Sequence, residues 1–249
     1  MWGERMPQQA IEESFASRVA LVAGARGNLG RAVARRLVAR GATTVLVDRN
    51  GAGLSEAFGD LAAAGTHLLA GDVDVLDASA LAAVVAQAVA RWGRLDIAIN
   101  TVGGFRADEP AHDTALTTWE TMFDLNLRST LALARAVVPT MLKQKQGKMI
   151  TVAARAALAG SARLAAYSAT KAALLRLTES MAAELKSSGI NVNCVLPGTL
   201  DTPENRRDRP DADFSTWVAP EAVADVILFL VSDGARSVHG AAIPVLGLS

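Results

Sequence analysis

The chain has 249 residues, 51% of them hydrophobic, and its 25 lysines and arginines are balanced by 25 aspartates and glutamates. A chain of this length and apolar content can bury one large core. The zero formal charge gives no electrostatic footprint for nucleic acid, and no run of about 18 uncharged apolar residues argues for a membrane span.

Residues 1–17 are expected to form a flexible N-terminal arm, with a single domain over 18–249. Arg18 to Ala23 is an apolar run of strand length, Gly24-Ala-Arg-Gly-Asn-Leu-Gly30 reads as a turn, and Arg31 to Arg40 places apolar residues at helical spacing. Strand, glycine turn and helix in that order let the backbone approach a pyrophosphate, with the first amides and positive dipole end of the helix aimed at it. Gly24, Arg26, Gly27, Asn28, Leu29 and Gly30 are the candidate contacts. The next strand, Thr43 to Asp48, ends in a carboxylate. Asp48 can accept hydrogen bonds from both hydroxyls of an adenosine ribose and repels a 2′-phosphate, which favours NAD(H) over NADP(H). Arg26 and Arg49 pull the other way if either meets a 2′-phosphate, so NADP(H) stays open; a bridge to Asp48 or a solvent-facing position is the preferred reading of both.

Further strands are expected near 66–70, 95–99, 148–153, 190–195 and 242–246, with helical stretches between them. This alternation predicts a single-domain α/β fold of Rossmann type, a doubly wound parallel sheet of about seven strands with helices on both faces. Clefts in such sheets open at the carboxyl ends of the strands. Gly24, Asp48, Asp72, Asn100, Ala154 and Pro197 all fall there.

Tyr167-Ser-Ala-Thr-Lys171 opens an alanine- and leucine-rich helical run. Residues four apart share a helix face, so the Lys171 ammonium is expected beside the Tyr167 phenol. An unperturbed tyrosine titrates near about 10, and a nearby ammonium favours its phenolate. The pair is therefore expected to make a proton donor usable at neutral pH, with Lys171 also holding a ribose. His67, His112 and His239 lack ligand spacing, so no metal site is expected. Cys194, the one cysteine, excludes a disulfide within the chain and reads as a small buried hydrophobe. With a start that lacks the apolar core of a signal peptide, it points to a cytoplasmic setting. The polar, proline-containing stretch from Leu200 to Ser215 is a candidate lid.

Together these residues resemble the short-chain dehydrogenase/reductase family from about Arg18 to Gly247. The glycine turn matches at Gly24 and Gly30, an adenine-contacting acid at Asp72 with Val73, and a central N-x-x-G segment at Asn100-Thr-Val-Gly103. A helix asparagine matches at Asn126, the tyrosine and lysine at Tyr167 and Lys171, and a proline-glycine at Pro197-Gly198, continued by Thr199 and Leu200. The resemblance implies an NAD(P)H-dependent oxidoreductase in which Tyr167 donates the proton, Lys171 binds the nicotinamide ribose, and Asn126 positions a water and the helix around Lys171. It also implies a small-molecule substrate and a homodimer or homotetramer paired through the helix from Tyr167 to Leu185.

Two departures from the family pattern bear on function. The middle glycine of the turn falls on Asn28, which tolerates a left-handed backbone better than most residues. The catalytic serine, expected thirteen residues before the tyrosine, is Ala154. Loss of one preorganised donor to a developing alkoxide costs about 2.7–4 kcal/mol, so a conventional ketone reductase is not expected to discard it. Thr151, Ser161 and Ser168 are the hydroxyls that could replace it. Segment 199–217 resembles that of dihydropteridine reductases, which lack the serine and reduce a conjugated quinonoid ring. The favoured acceptor is a quinonoid dihydropterin or similar ring, in a pocket with Ala154, Phe105 and Trp217. Generic ketone, alcohol or 3-oxoacyl reduction is the alternative, and a catalytically inactive dinucleotide-binding protein the second.

Overall fold

Seven strands, β1 (Val19–Ala23), β2 (Thr43–Val47), β3 (Leu68–Ala70), β4 (Ile97–Asn100), β5 (Gly147–Val152), β6 (Ile190–Pro197) and β7 (Ala242–Val245), pair in parallel in the order β3-β2-β1-β4-β5-β6-β7. The structure is a computed structural model that describes residues 14–107 and 109–248. Its helices are α1 (Asn28–Ala39), α2 (Gly51–Ala64), α3 (Ala78–Trp92), α4 (Leu116–Phe123), α5 (Ser129–Gln144), α6 (Ala165–Leu185), α7 (Pro203–Asp208) and α8 (Pro220–Val231). Every expected strand is present, and the architecture is the expected single-domain Rossmann-type sheet.

The strand sequences read as continuous apolar runs because both faces are covered. Alternate residues go to opposite sides. Ala20 and Val22 of β1 join Ile99 of β4 and Val195 of β6 against Val33 and Leu37 of α1 and Ile227 and Leu228 of α8. Val19, Leu21 and Ala23 join Ala98, Met149 and Val192 against Leu81 and Val85 of α3 and Leu133, Val137 and Met141 of α5. A one-residue slip would turn every one of these side chains to the wrong layer.

Of the expected arm, residues 1–13 lie outside the described residues. Phe15 is 2% exposed and packs into the α1–α8 side of the core, and its amide donates to the Arg40 carbonyl at 2.8 Å. The packed domain therefore begins upstream of residue 18, a boundary hidden by the polar residues around one phenylalanine.

Chain order reverses between β1 and β4, which run side by side from Ala20 and Ile97 to Ala23 and Asn100. This is the topological switch point, where open α/β sheets bind ligands. Five residues, Asp124–Arg128, form a π-helical turn between α4 and α5 and carry Asn126. Such turns recur at functional sites because they rotate one side chain out of helical register.

Candidate active site

At the end of β1 the chain turns through Gly24, whose φ of 76° is left-handed. A Cβ on Gly24 would stand 3.0 Å from the Thr101 hydroxyl, and one on Gly30 would run into the Gly24 carbonyl. The turn is therefore closed by backbone packed on backbone. Asn28 does not adopt the left-handed conformation; it is the first residue of α1, after Gly27 as an extended N-cap that offers no side-chain acceptor. The first amides of α1 are thus left uncapped by side chains, the condition an anion such as pyrophosphate fits.

Asp48 follows β2, and its two oxygens accept from the amides of Arg26 and Asn50, each at 3.1 Å. The Arg26 guanidinium leans toward it, 4.0 Å away, as the bridging reading of that residue requires, while Arg49 is exposed. Each carboxylate oxygen still has a lone pair for a ribose hydroxyl. Asp72 sits in left-handed backbone, φ 56°, and accepts from the Gly51 amide at 3.0 Å, while the Val73 amide donates to the Asp48 carbonyl at 3.2 Å. These bonds bring the ends of β2 and β3 to one edge.

Asn100 is buried, donates to the hydroxyls of Ser129 and Thr130 at 3.1 and 2.8 Å, and accepts from the Val102 amide. It fixes the loop that carries Gly103, where a Cβ would lie 3.2 Å from both the Asn126 oxygen and the Lys171 nitrogen. Asn126 is 1% exposed. Its oxygen accepts from the Gly104 amide at 2.9 Å, and its nitrogen donates to the Gly104 carbonyl at 3.1 Å and the Thr170 hydroxyl at 3.2 Å. Both amide hydrogens are committed to protein. The Asn126 side chain accordingly ties the Gly104 backbone to Thr170 of α6.

Tyr167 and Lys171 lie in the first two turns of α6, with the lysine nitrogen 5.9 Å from the tyrosine ring centroid. Phe105 meets the Tyr167 ring edge-on, centroids 4.9 Å apart. Lys171 is 4% exposed and donates to the Val152 carbonyl at 2.9 Å. Burial pushes its ammonium down to about 8, and burial pushes the Tyr167 phenol up to about 12. This corrects the expectation that Lys171 lowers the phenol. The ammonium faces the strand carbonyl and flanks the ring, so desolvation of the phenol dominates. At neutral pH Tyr167 is held protonated beside a lysine that is still mostly charged.

The model of the family described as short chain dehydrogenase matches residues 18–213. A cis-4-hydroxycyclohexanecarboxylate dehydrogenase of Sinomonas cyclohexanicum is 33% identical over 247 residues, which cover 94% of this chain and 97% of that relative. The 3-oxoacyl-[acyl-carrier-protein] reductase FabG of Salmonella typhimurium is 32% identical, covering 94% and 98% of the two chains. The chain belongs to the short chain dehydrogenase family. It is, as such, an NAD(P)-dependent oxidoreductase. A solved structure of carveol dehydrogenase from Mycobacterium avium in complex with NAD superimposes with a TM-score of 0.86 at 26% identity, covering 94% of this chain and 98% of that one.

The substrate side of the enzyme is less crowded with donors. Ala154 is extended at the end of β5 and 9% exposed. Thr151 is buried and bonded to the Thr178 hydroxyl at 2.9 Å, so it does not replace the missing serine. Ser161 is exposed. Ser168 is 6% exposed, and its hydroxyl has no partner among the described residues. Pro197 ends β6 and Gly198 donates to the Val245 carbonyl at 3.0 Å. Thr199 and Leu200 then pair with Val218, which closes the base of the 200–215 stretch. Trp217 has Phe214 as its ring partner at 4.9 Å, and Arg206 covers Phe214 at 4.6 Å. The Phe214 and Trp217 rings therefore meet at a tilt of 59°, and of the expected pocket aromatics only Phe105 makes a ring contact with Tyr167 among the described residues.

Two participants escaped the sequence. Thr202 is buried and caps α7 by accepting from the Asn205 amide at 3.2 Å; the signal was there, a threonine followed by Pro203 at the first helical position. Glu204 accepts from the Asn28 side chain at 2.8 Å, tying α7 to the glycine turn. Hydrogen bonds from its own backbone and from Asn28 hold its carboxyl below the usual range. No local pattern announces a partner so far away in the chain.

Proposed function

We propose that the enzyme interconverts a secondary alcohol and a ketone, with NAD(H) preferred and Tyr167 as the proton-transferring group. The observation that carries this reading is the pair of a protonated Tyr167 and a buried, largely charged Lys171 at the carboxyl edge of the sheet. The dinucleotide, when bound, takes up or delivers the hydride. Gly24, Gly27, Asn28, Leu29 and Gly30 present the uncapped start of α1 to its pyrophosphate. Asp48 receives the adenosine ribose and disfavours a 2′-phosphate, with Arg26 drawn to the carboxylate and away from that role. Asp72, Val73, Asn100 and Gly103 bound the cleft beside β1, and Pro197, Gly198, Thr199 and Leu200 bound it at β6. Lys171 holds a ribose hydroxyl and keeps positive charge beside the phenol, while Asn126 keeps the Gly103 loop and α6 in register. The relatives named above, a hydroxycyclohexanecarboxylate dehydrogenase, a 3-oxoacyl reductase and an NAD-bound carveol dehydrogenase, support alcohol or ketone chemistry. A homodimer or homotetramer pairing through α6 and a cytoplasmic setting belong to the same proposal.

Ala154 favours a second reading, reduction of a quinonoid dihydropterin or similar conjugated ring. Such an acceptor spreads the arriving charge and needs no serine. No relative named above is a dihydropteridine reductase, so the alcohol or ketone reading leads. NADH oxidation measured with cyclic ketones and with quinonoid dihydropterin, in wild type and in Ala154→Ser, separates the two. Turnover of ketones that rises in Ala154→Ser supports the first; turnover of the pterin alone replaces it with the second.

A further inference from the structure

The start of α1, which the proposed function gives to the pyrophosphate, already has a carboxylate beside it. Glu204 of α7 accepts from the Asn28 side chain at 2.8 Å, and Asn28 is the first residue of α1, directly after the extended Gly27. Hydrogen bonds from its own backbone and from Asn28 hold the Glu204 carboxyl below the usual range, so it is ionised at neutral pH. The positive end of α1 has no acceptor on its N-cap side chain and favours any anion brought to it, a carboxylate of the chain as much as a phosphate.

Local chemistry in α7 delivers this carboxylate. Thr202 caps the helix, Pro203 opens it, and the Asn205 side chain donates to the Leu200 carbonyl at 2.8 Å, which fixes Glu204 in the first turn. Among the described residues the bond to Asn28 is the one hydrogen bond that residues 203–216 make outside 200–217 and Leu248. Both partners are exposed, so water can replace either side of the bond at little cost. The other carboxylate oxygen stands 3.9 Å from the Arg207 guanidinium, one turn along the same helix. Glu204 therefore has a second partner that it can reach without leaving α7.

A pyrophosphate at the start of α1 would bring its negative charges against this carboxylate, and like charges repel. We propose that Glu204 is an internal competitor of the dinucleotide: its carboxylate holds the Asn28 corner of the glycine turn, and the dinucleotide binds as that carboxylate gives up the corner and turns to Arg207. The chain thereby sets its cofactor affinity below what the glycine turn alone would give. The inference rests on the placing of the pyrophosphate at α1 and adds a residue of α7 that governs how tightly it is held.

The test is the NADH affinity, by fluorescence titration and calorimetry, of wild type, Glu204→Gln and Asp208→Asn. Glu204→Gln keeps an acceptor for Asn28 and removes the charge, and its Kd for NADH is expected to be about tenfold lower than that of wild type. Asp208→Asn removes an exposed carboxylate from the far end of the same helix and is expected to leave Kd within about twofold. Raising salt from about 0.1 to about 1 M shortens the screening length from about 10 to about 3 Å, so the ratio of the wild-type to the Glu204→Gln Kd is expected to shrink toward one. Equal or weaker NADH binding by Glu204→Gln, the same gain in Asp208→Asn, or a ratio that salt leaves unchanged overturns the proposal. Gly30→Ala keeps the two layers of the argument apart. If it weakens NADH binding while Glu204→Gln changes nothing, the pyrophosphate site stands and the competitor falls; if neither variant alters NADH affinity, the placing of the pyrophosphate falls as well.

Discussion

The cofactor edge and the substrate edge of the cleft are built on opposite principles. At the cofactor edge the acidic side chains are held by backbone amides. Asp48 accepts two amides, Asp72 accepts a third, and Gly24 and Gly30 sit where no side chain fits. At the substrate edge an alanine, Ala154, stands where the family pattern has a serine, and the Ser168 hydroxyl is unpartnered among the described residues. In the proposed function the first edge is preorganised for the dinucleotide. The second leaves its polar capacity for whatever the enzyme turns over, which is where members of one family can diverge without altering the fold.

The sharpest way to break this comparison is at Lys171, where the two edges meet. Its ammonium, at about 10.5 in the unfolded chain, is pushed down to about 8 in the folded one. Below both values each state is charged and the folded state bears the burial cost; above both, each is neutral and the cost is gone. Relative to Lys171→Met, wild type is therefore expected to be about 3 kcal/mol less stable below pH 8 than above pH 10.5. Comparing the two chains by urea unfolding at each pH cancels the titration of Tyr167, while the Cys194 thiol, which the Lys171 charge draws down, is raised further in the variant. A deficit that does not change with pH would show that the lysine is not desolvated.

Gly30 tests the rigidity of the cofactor edge. Its added methyl in Gly30→Ala meets the Gly24 carbonyl, a backbone atom that cannot rotate away, so a loss of about 1–3 kcal/mol in stability and a weakened NADH fluorescence titration are expected together. Gly59→Ala, which meets nothing within 4 Å, is the control expected to lose neither. The smallest effect is at Asp48. Asp48→Asn removes the charge proposed to repel a 2′-phosphate, and the NADH to NADPH affinity ratio is expected to fall by about tenfold, or about 1.4 kcal/mol. An unchanged ratio would place the discrimination elsewhere, at Arg26 or Arg49.

The same contrast explains what the sequence disclosed. The strands, the glycine turn and the Tyr167–Lys171 face were legible because each is a local pattern: an apolar run, a spacing of glycines, a spacing of four on a helix. Phe15 was missed because a single apolar residue in polar surroundings carries no period. The raised Tyr167 phenol was missed because desolvation is a property of the packed protein, whereas charge proximity can be read from spacing. Trp217, expected in the pocket, meets the ring of Phe214, which Arg206 covers, a grouping that spacing in the chain does not announce. The Asn28–Glu204 tie joins the turn to α7 across most of the chain, and only the fold brings the two together.

The central claim is that Tyr167, held protonated by burial, transfers the proton while the cofactor edge binds the dinucleotide independently of it. Measuring NADH affinity and turnover side by side in Tyr167→Phe tests it most directly. The expected result is a turnover about 10²- to 10⁴-fold lower with NADH affinity essentially unchanged. Turnover that survives the loss of the hydroxyl would contradict the account and direct attention to Ser168 as the proton-transferring group.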